Sequence, residues 1–249
     1  MPHLFVNRER VHDVVNQKPE LKQQFLWETI NAIVYKIGGI IFIAGSVCFL
    51  PRFEAHVDLG AILFVIGSIL YLIVSLHDII EVNTYRKKNN EYSRELHLEY
   101  IASFCYFIGS VLFTAGSIFF LKEVDMVTAG AWMFIIGSGL FVYGAATNVA
   151  RILYEGSTLT LQLMNLTALT FVVGSVLFLI ASVPYLWHID TGHDSYQLFR
   201  YLAWQYIIGS ALFLLGGFTN YWRAFLIMRH QLNEAEQLIK DTKQNKIDK

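Results

Sequence analysis

Phe107-Ile108-Gly109-Ser110-Val111-Leu112-Phe113 is the stretch on which the reading of this chain turns. Variants of it stand inside apolar runs at Gly38, Gly67, Gly109, Gly137, Gly174 and Gly209. Serine follows the glycine as Ser68, Ser110, Ser138, Ser175 and Ser210, and Gly39 takes its place in the first run. Four residues after each glycine stands an aromatic ring: Phe42, Tyr71, Phe113, Phe141, Phe178 or Phe213. The runs extend over Thr29–Leu50, Asp58–Leu76, Tyr100–Leu121, Val124–Val149, Leu161–Leu186 and Leu198–Ile227. Each approaches or exceeds the roughly 20 residues with which a helix crosses a 30 Å hydrocarbon core. Helix is preferred to strand because a long, nearly uncharged segment in lipid must satisfy its backbone internally.

Bulk composition agrees. The 249 residues are 55% hydrophobic and 16% charged, against about 25% charged in soluble domains. Mean hydropathy is +0.44. A net charge of −1 gives no basic surplus for nucleic acid. Cys48 and Cys105 lie at different depths when their runs are aligned on the glycines, about 20 Å apart at 1.5 Å per residue, so no disulfide is expected between them. Residues 1–28 are polar and amphipathic, with Val11, Val14 and Val15 at helical spacing, and Pro19-Glu20 suited to open a short helix carrying Leu21, Phe25 and Leu26. Without a signal-peptide core there, the first span is expected to direct insertion.

The spans pair into three helical hairpins, 29–76, 100–149 and 161–227. Odd spans share a G-[GS]-x5-[GA]-S pattern: Gly38 to Ser46, Gly109 to Ser117, Gly174 to Ser182. Even spans share a polar tail. Asp78, Asn148 and Asn220 stand eleven residues past the glycine, and Glu81, Arg151 and Arg223 fourteen past it. The predicted fold is therefore all-α and polytopic: six transmembrane helices as three parallel-repeat hairpins over residues 29–227. Flanking it are a cytoplasmic segment, 1–28, and a cytoplasmic helix, 228–249. Past Asn220 the seam Phe225, Met228, Leu232, Ala235, Ile239 keeps heptad steps. It suits a helix lying on the protein's own loops or a short coiled coil.

Loop charge predicts orientation. One side carries Arg8, Arg10, Lys18, Lys22, Arg86, Lys87, Lys88, Arg94, Arg151, Arg223, Arg229 and the C-terminal lysines; the other carries Arg52, Lys122 and Arg200. The positive-inside rule places both termini in the cytoplasm.

Lipid tails are as apolar as leucine, so membrane helices associate through close packing and hydrogen bonds, which favours small residues at contacts. The repeat glycines and serines (Gly38, Gly67, Ser68, Gly109, Ser110, Gly137, Ser138, Gly174, Ser175, Gly209, Ser210) are read as packing seams, with the aromatic at +4 filling the groove beside a neighbouring glycine. The competing reading is a pore lined by serine hydroxyls, for which weak dipoles in a tight bundle are a poor ion path. The kernels Phe64-Val65-Ile66-Gly67-Ser68 and Trp132-Met133-Phe134-Ile135-Ile136-Gly137-Ser138-Gly139-Leu140-Phe141 resemble YrhK-like membrane proteins of bacteria. That resemblance, taken over residues 29–227, implies a bacterial inner-membrane protein of uncharacterised function with no catalytic residues to carry over. The first span departs from the kernel at Gly39.

Candidate chemistry is sparse. Lys36 is the basic residue well inside a span. It suits snorkelling to the headgroups, a pair with Glu28 or Glu99, or a transport role. Glu81, Arg151 and Arg223 suit ion pairs or a ligand site at the ends of the even helices. His188, Asp190, His193 and Asp194 cluster in the fifth-to-sixth loop without the fixed spacing of a metal site. Trp132, Tyr143, Trp204, Tyr206, Tyr221 and Trp222 suit interfacial belts. There is no P-loop, G-x-S-x-G or H-E-x-x-H. The expectation is a non-enzymatic structural or accessory membrane protein without cofactor, embedded in the bilayer as a homo-oligomer or complex subunit. The alternative is a small channel or transporter built on Lys36 and the serine rows.

Overall fold

The structure is a computed structural model that describes residues 20–89, 93–149, 158–187 and 193–247. It contains six long α-helices: α1 (Leu21–Cys48), α2 (Val57–Asn89), α3 (Arg94–Phe119), α4 (Val127–Val149), α5 (Thr158–Ser182) and α6 (His193–Ile247). No strand occurs among the described residues. All six helices are long and apolar enough to cross a membrane. Each packs on its chain neighbours, and α1 packs on α6. The hairpins therefore close into an up-and-down ring. The end where α1 begins is called here the near end; the opposite, far end carries the turns that close the hairpins.

Local chemistry explains the far-end turns. Leu50 precedes Pro51 and is extended at φ −63°, ψ 135°, as a residue before proline prefers. A 3-10 turn over Pro51–His56 then leads into α2. Pro184 stands early in a second 3-10 turn, Val183–Leu186. Between α3 and α4, Asp125 takes φ 48°, a left-handed conformation that aspartate tolerates better than most residues. The neighbouring Lys122 N–H donates to Asp58 Oδ1 at 3.0 Å, tying the first hairpin to the second.

The helices outlast their apolar runs. α1 starts at Leu21, so the short helix expected after Pro19-Glu20 is its first turns and not a separate surface element. α2 continues past Leu76 to Asn89, ending on Arg86, Lys87 and Lys88, which favour a helix C-terminus. α6 runs unbroken through Ile247. The valine-bearing segment before residue 20 lies outside the described residues.

Every helix buries two aromatic rings seven residues apart: Tyr35 and Phe42, Phe64 and Tyr71, Tyr106 and Phe113, Phe134 and Phe141, Phe171 and Phe178, Tyr206 and Phe213. Because the helices alternate in direction, these rings sort into two layers across the axis. Toward the far end Phe178 touches Phe42, Phe64, Phe113 and Tyr206, with centroids 5.1–6.4 Å apart. Toward the near end Tyr35 stacks on Tyr71 at 4.3 Å, and Phe171 meets Phe213 at 5.6 Å. The repeat glycines lie between the layers. A Cβ on Gly137 would stand 2.8 Å from the Phe113 ring, one on Gly209 2.8 Å from Phe178, and one on Gly38 2.7 Å from Tyr71. Each repeat glycine thus faces the +4 aromatic of its hairpin partner. Isoleucines and leucines line the outside instead: Leu59, Ile62, Ile66, Ile69, Ile73, Leu76 and Ile80 form an exposed stripe down α2.

Serine hydroxyls are spent mostly within their own helices. Ser46, Ser68, Ser110, Ser117, Ser175 and Ser182 each donate to the carbonyl four residues earlier at 2.6–2.8 Å. Between hairpins, Ser46 meets Ser210 at 3.2 Å and Ser68 meets Ser117 at 3.4 Å. The third pair by register is Ser138 with Ser182. There the Tyr206 hydroxyl, where the other hairpins carry Phe64 and Phe134, takes Ser182 at 2.9 Å. Ser138 Oγ has no hydrogen-bond partner among the described residues. A void of about 10 Å³ elsewhere on the axis, between Ser68, Ser110 and the rings, is about the minimum for one water.

Candidate functional site

The near end carries the concentration of buried polar groups. Its first tier joins the two helices of each hairpin. The Asn31 amide donates to Nδ1 of His77 at 3.0 Å. The Asn148 amide donates to the Tyr106 hydroxyl at 3.0 Å. Thr167 and Thr219 hydroxyls meet at 2.7 Å. A second tier holds Gln24, Asp78, Glu81, Glu99 and Arg223, all buried; Glu81 is 0% exposed and Arg223 1%. Glu81 and Arg223 stand fourteen residues beyond their repeat glycines and Glu99 ten before its own, which puts them about 15–21 Å from the glycine layer at 1.5 Å per residue.

Charges so fully buried are costly unless paired. None of His77, Asp78, Glu81, Glu99 and Arg223 lacks a partner. Three carboxyl groups and one guanidinium make up the ionic part of this tier among the described residues. Carboxyl and guanidinium groups buried together in this way suit ion pairs between helices. The sequence places Asp78, Glu81 and Arg223 at the ends of the even helices, as ion pairs or a ligand site. α2 and α6 continue well beyond Asp78 and Arg223, so these residues face the bundle interior. Arg151, their counterpart on the second hairpin, lies outside the described residues.

Lys36 is elsewhere. Its ammonium lies over the rings of Tyr221 at 4.4 Å and Phe218 at 5.2 Å, on the outer side of α6. Phe218 is exposed and Tyr221 is bonded to Thr29 nearer the near end, so the lysine stem follows the α1–α6 groove rather than the axis. In the fifth-to-sixth loop, His188 and Asp190 and the side chains of His193 and Asp194 lie outside the described residues. No group of three metal-ligating side chains occurs among the described residues. Cys48 and Cys105 are both free thiols. Of the aromatics expected in interfacial belts, Trp132, Tyr143, Trp204 and Trp222 are exposed, whereas Tyr206 is buried in the far ring layer. Its spacing three residues before Gly209 matches Phe64 and Phe134 and was the available sign.

The YrhK-like family model matches the chain twice, over residues 26–82 and 97–153. The first two hairpins are thus similar to the YrhK-like family. Both matched units begin twelve residues before an odd repeat glycine and end just past the fourteenth residue after an even one, so each carries the aromatic layers together with one arm of the near-end polar tiers. The third hairpin keeps the same glycines and rings but lies outside the matched residues. Gly174 and Gly209 are 35 residues apart, against 29 and 28 in the YrhK-like hairpins. The surplus falls in the far-end connection after Leu186. No curated protein and no solved structure matches the chain.

Proposed function

We propose that this YrhK-like chain is a non-enzymatic membrane scaffold of the bacterial inner membrane, working through helix packing and through association with a second copy or a partner subunit. The observation that carries this reading is the filled axis: two layers of aromatic rings close it, and the serine hydroxyls beside them are bonded to backbone. A channel built on Lys36 and the serine rows needs both on a wet axis, whereas Lys36 lies in an outer groove. The association element is the end of α6. Ile247 is 38 residues past Gly209, while α1 starts 17 before Gly38, so α6 projects about 30 Å beyond α1 at 1.5 Å per residue. The first turns of this extension pack on the bundle, with Phe225 5.8 Å from Phe25 and Met228 buried.

Two measurements test the proposal. Proteoliposomes holding the purified protein should show no more ion or solute flux than empty vesicles; a flux abolished by Lys36→Met would overturn the scaffold reading. Light scattering should give a multiple of the chain mass for the full chain and a smaller mass for a chain ending at Asn233. An unchanged mass would remove α6 as the association element.

A further inference from the structure

A second polar site lies at the opposite end of the molecule, independent of the near-end tiers. Of the three far-side cations, Arg52 and Arg200 line one cleft of about 280 Å³, together with Leu50, Pro51, Tyr196 and Trp204. Chain geometry brings them together. Arg52 follows the Leu50-Pro51 turn that ends the first span, and Arg200 stands on the second turn of α6, which packs against α1. Among the described residues no carboxylate lines the cleft; Glu54 lines the neighbouring one, which shares Leu50, Pro51 and Tyr196. Arg52 lies over the ring of its neighbour Phe53 at 4.7 Å, which leaves its N–H groups available at the edge of the guanidinium plane.

The depth is specific. Arg200 stands on α6 nine residues before Gly209, about 14 Å from the glycine layer at 1.5 Å per residue. Arg52 follows the end of α1 at Cys48, which is ten residues past Gly38 and about 15 Å from that layer. With that layer at the midplane of a core about 30 Å thick, both guanidinium groups sit at headgroup level. Trp204, one turn below Arg200 and about 8 Å from the glycine layer at 1.5 Å per residue, is 48% exposed within the depth of the hydrocarbon, and Ile208 and Ile40 continue an exposed apolar track down α6 and α1. Two forked cations above an indole and an aliphatic track form a receptor for an amphiphile with an anionic head.

We infer that the Arg52–Arg200 cleft binds the phosphate of an anionic phospholipid, with an acyl chain lying along the outer α1–α6 groove past Trp204. Guanidinium forks recognise phosphate oxygens in pairs. A zwitterionic lipid brings its own ammonium to the same place, so the preference is for a head of net negative charge. Occupation of the cleft ties the first and last helices, where the ring closes.

The test uses the full chain in a neutral detergent, with unfolding followed by intrinsic fluorescence. Phosphatidylglycerol, phosphatidylcholine and the soluble head fragment glycerol 3-phosphate are added in separate arms. Phosphatidylglycerol should raise the melting temperature by several degrees, and the other two should leave it within error. The Arg52→Gln/Arg200→Gln variant should lose that rise, and Lys122→Gln, a far-end cation outside the cleft, should keep it. An equal rise with phosphatidylcholine, or a rise that survives in the double variant, overturns the site. A rise with glycerol 3-phosphate that phosphatidylglycerol does not exceed overturns the lipid and leaves a free-phosphate site. If the double variant is too unstable to melt cleanly, native mass spectrometry of Arg200→Gln decides: an unchanged number of bound phosphatidylglycerol molecules counts against the proposal.

Discussion

Gly137 and Gly139 stand two residues apart on α4 and make opposite demands. A Cβ at Gly137 runs into the Phe113 ring at 2.8 Å, whereas one at Gly139 meets nothing within 4 Å. Gly137→Ala should therefore lose roughly 1–3 kcal/mol through overpacking. Gly139→Ala should gain up to about 1 kcal/mol from helix propensity. Melting temperatures of the two purified variants measure this, and shifts of equal size and sign would mean that the glycine layer is not a contact surface. Gly144, whose Cβ would stand 3.0 Å from Tyr106, should fall between them. Ser138 offers a parallel contrast with Ser46. Ser46 bonds both a carbonyl and Ser210, while Ser138 Oγ is buried without a partner among the described residues. Removing an unsatisfied buried hydroxyl relieves a cost, so Ser138→Ala should be neutral or stabilising. Ser46→Ala should lose about 0.6 kcal/mol, the usual worth of an interhelical hydrogen bond in a membrane. A larger loss at Ser138 than at Ser46, in the same melting assay, would contradict the assignment.

At the scale of helices and turns, the spans were legible and their ends were not. Lipid imposes a length of apolar residues, and that length reads directly from Thr29–Leu50 or Leu161–Leu186. Helical hydrogen bonding has no reason to stop where apolarity stops, and so α2 reaches Asn89 and α6 Ile247. The near-end polar set was legible by its spacing past the even glycines, but its full burial was not, because Asp78 and Glu81 follow the apolar run of α2 and the helix continues beyond them. Packing periodicity was only half visible. The aromatics four residues past each glycine were evident, but the set three residues before it escaped because it mixes Tyr35, Tyr106 and Tyr206 with phenylalanines. Tyrosine in a membrane span is ordinarily read as a belt residue. A turn-level prediction concerns Asp125, whose left-handed φ of 48° suits glycine and opposes a β-branched side chain. Asp125→Gly should change stability little, whereas Asp125→Val should cost about 1–2 kcal/mol. Thermal unfolding in detergent decides this, and a valine tolerated as well as glycine would refute the argument.

For the whole molecule, three hairpins in a ring leave one question of sidedness, which the charge bias answers as an expectation. Single-cysteine variants at Lys87, Lys246 and His193, made in a background lacking Cys48 and Cys105, should be labelled from the cytoplasmic face at the first two positions and from the opposite face at the third. Labelling of His193 and Lys246 from one side would be incompatible with six crossings. The ring also has a seam that the chain can complete only late. Tyr35 donates to the carbonyl of Phe213 at 3.3 Å, a Cβ on Gly217 would strike Tyr35, and one on Gly39 would press on Leu214. Those partners sit on α6, which begins about 145 residues after α1 ends; at roughly 5–20 residues per second of synthesis, the delay is about 7–30 s. For that interval on the ribosome, the flank of α1 bearing Tyr35 and Ser46 faces lipid or the insertion machinery, and a nascent chain arrested before α6 would display a tyrosine hydroxyl and a serine hydroxyl to the bilayer.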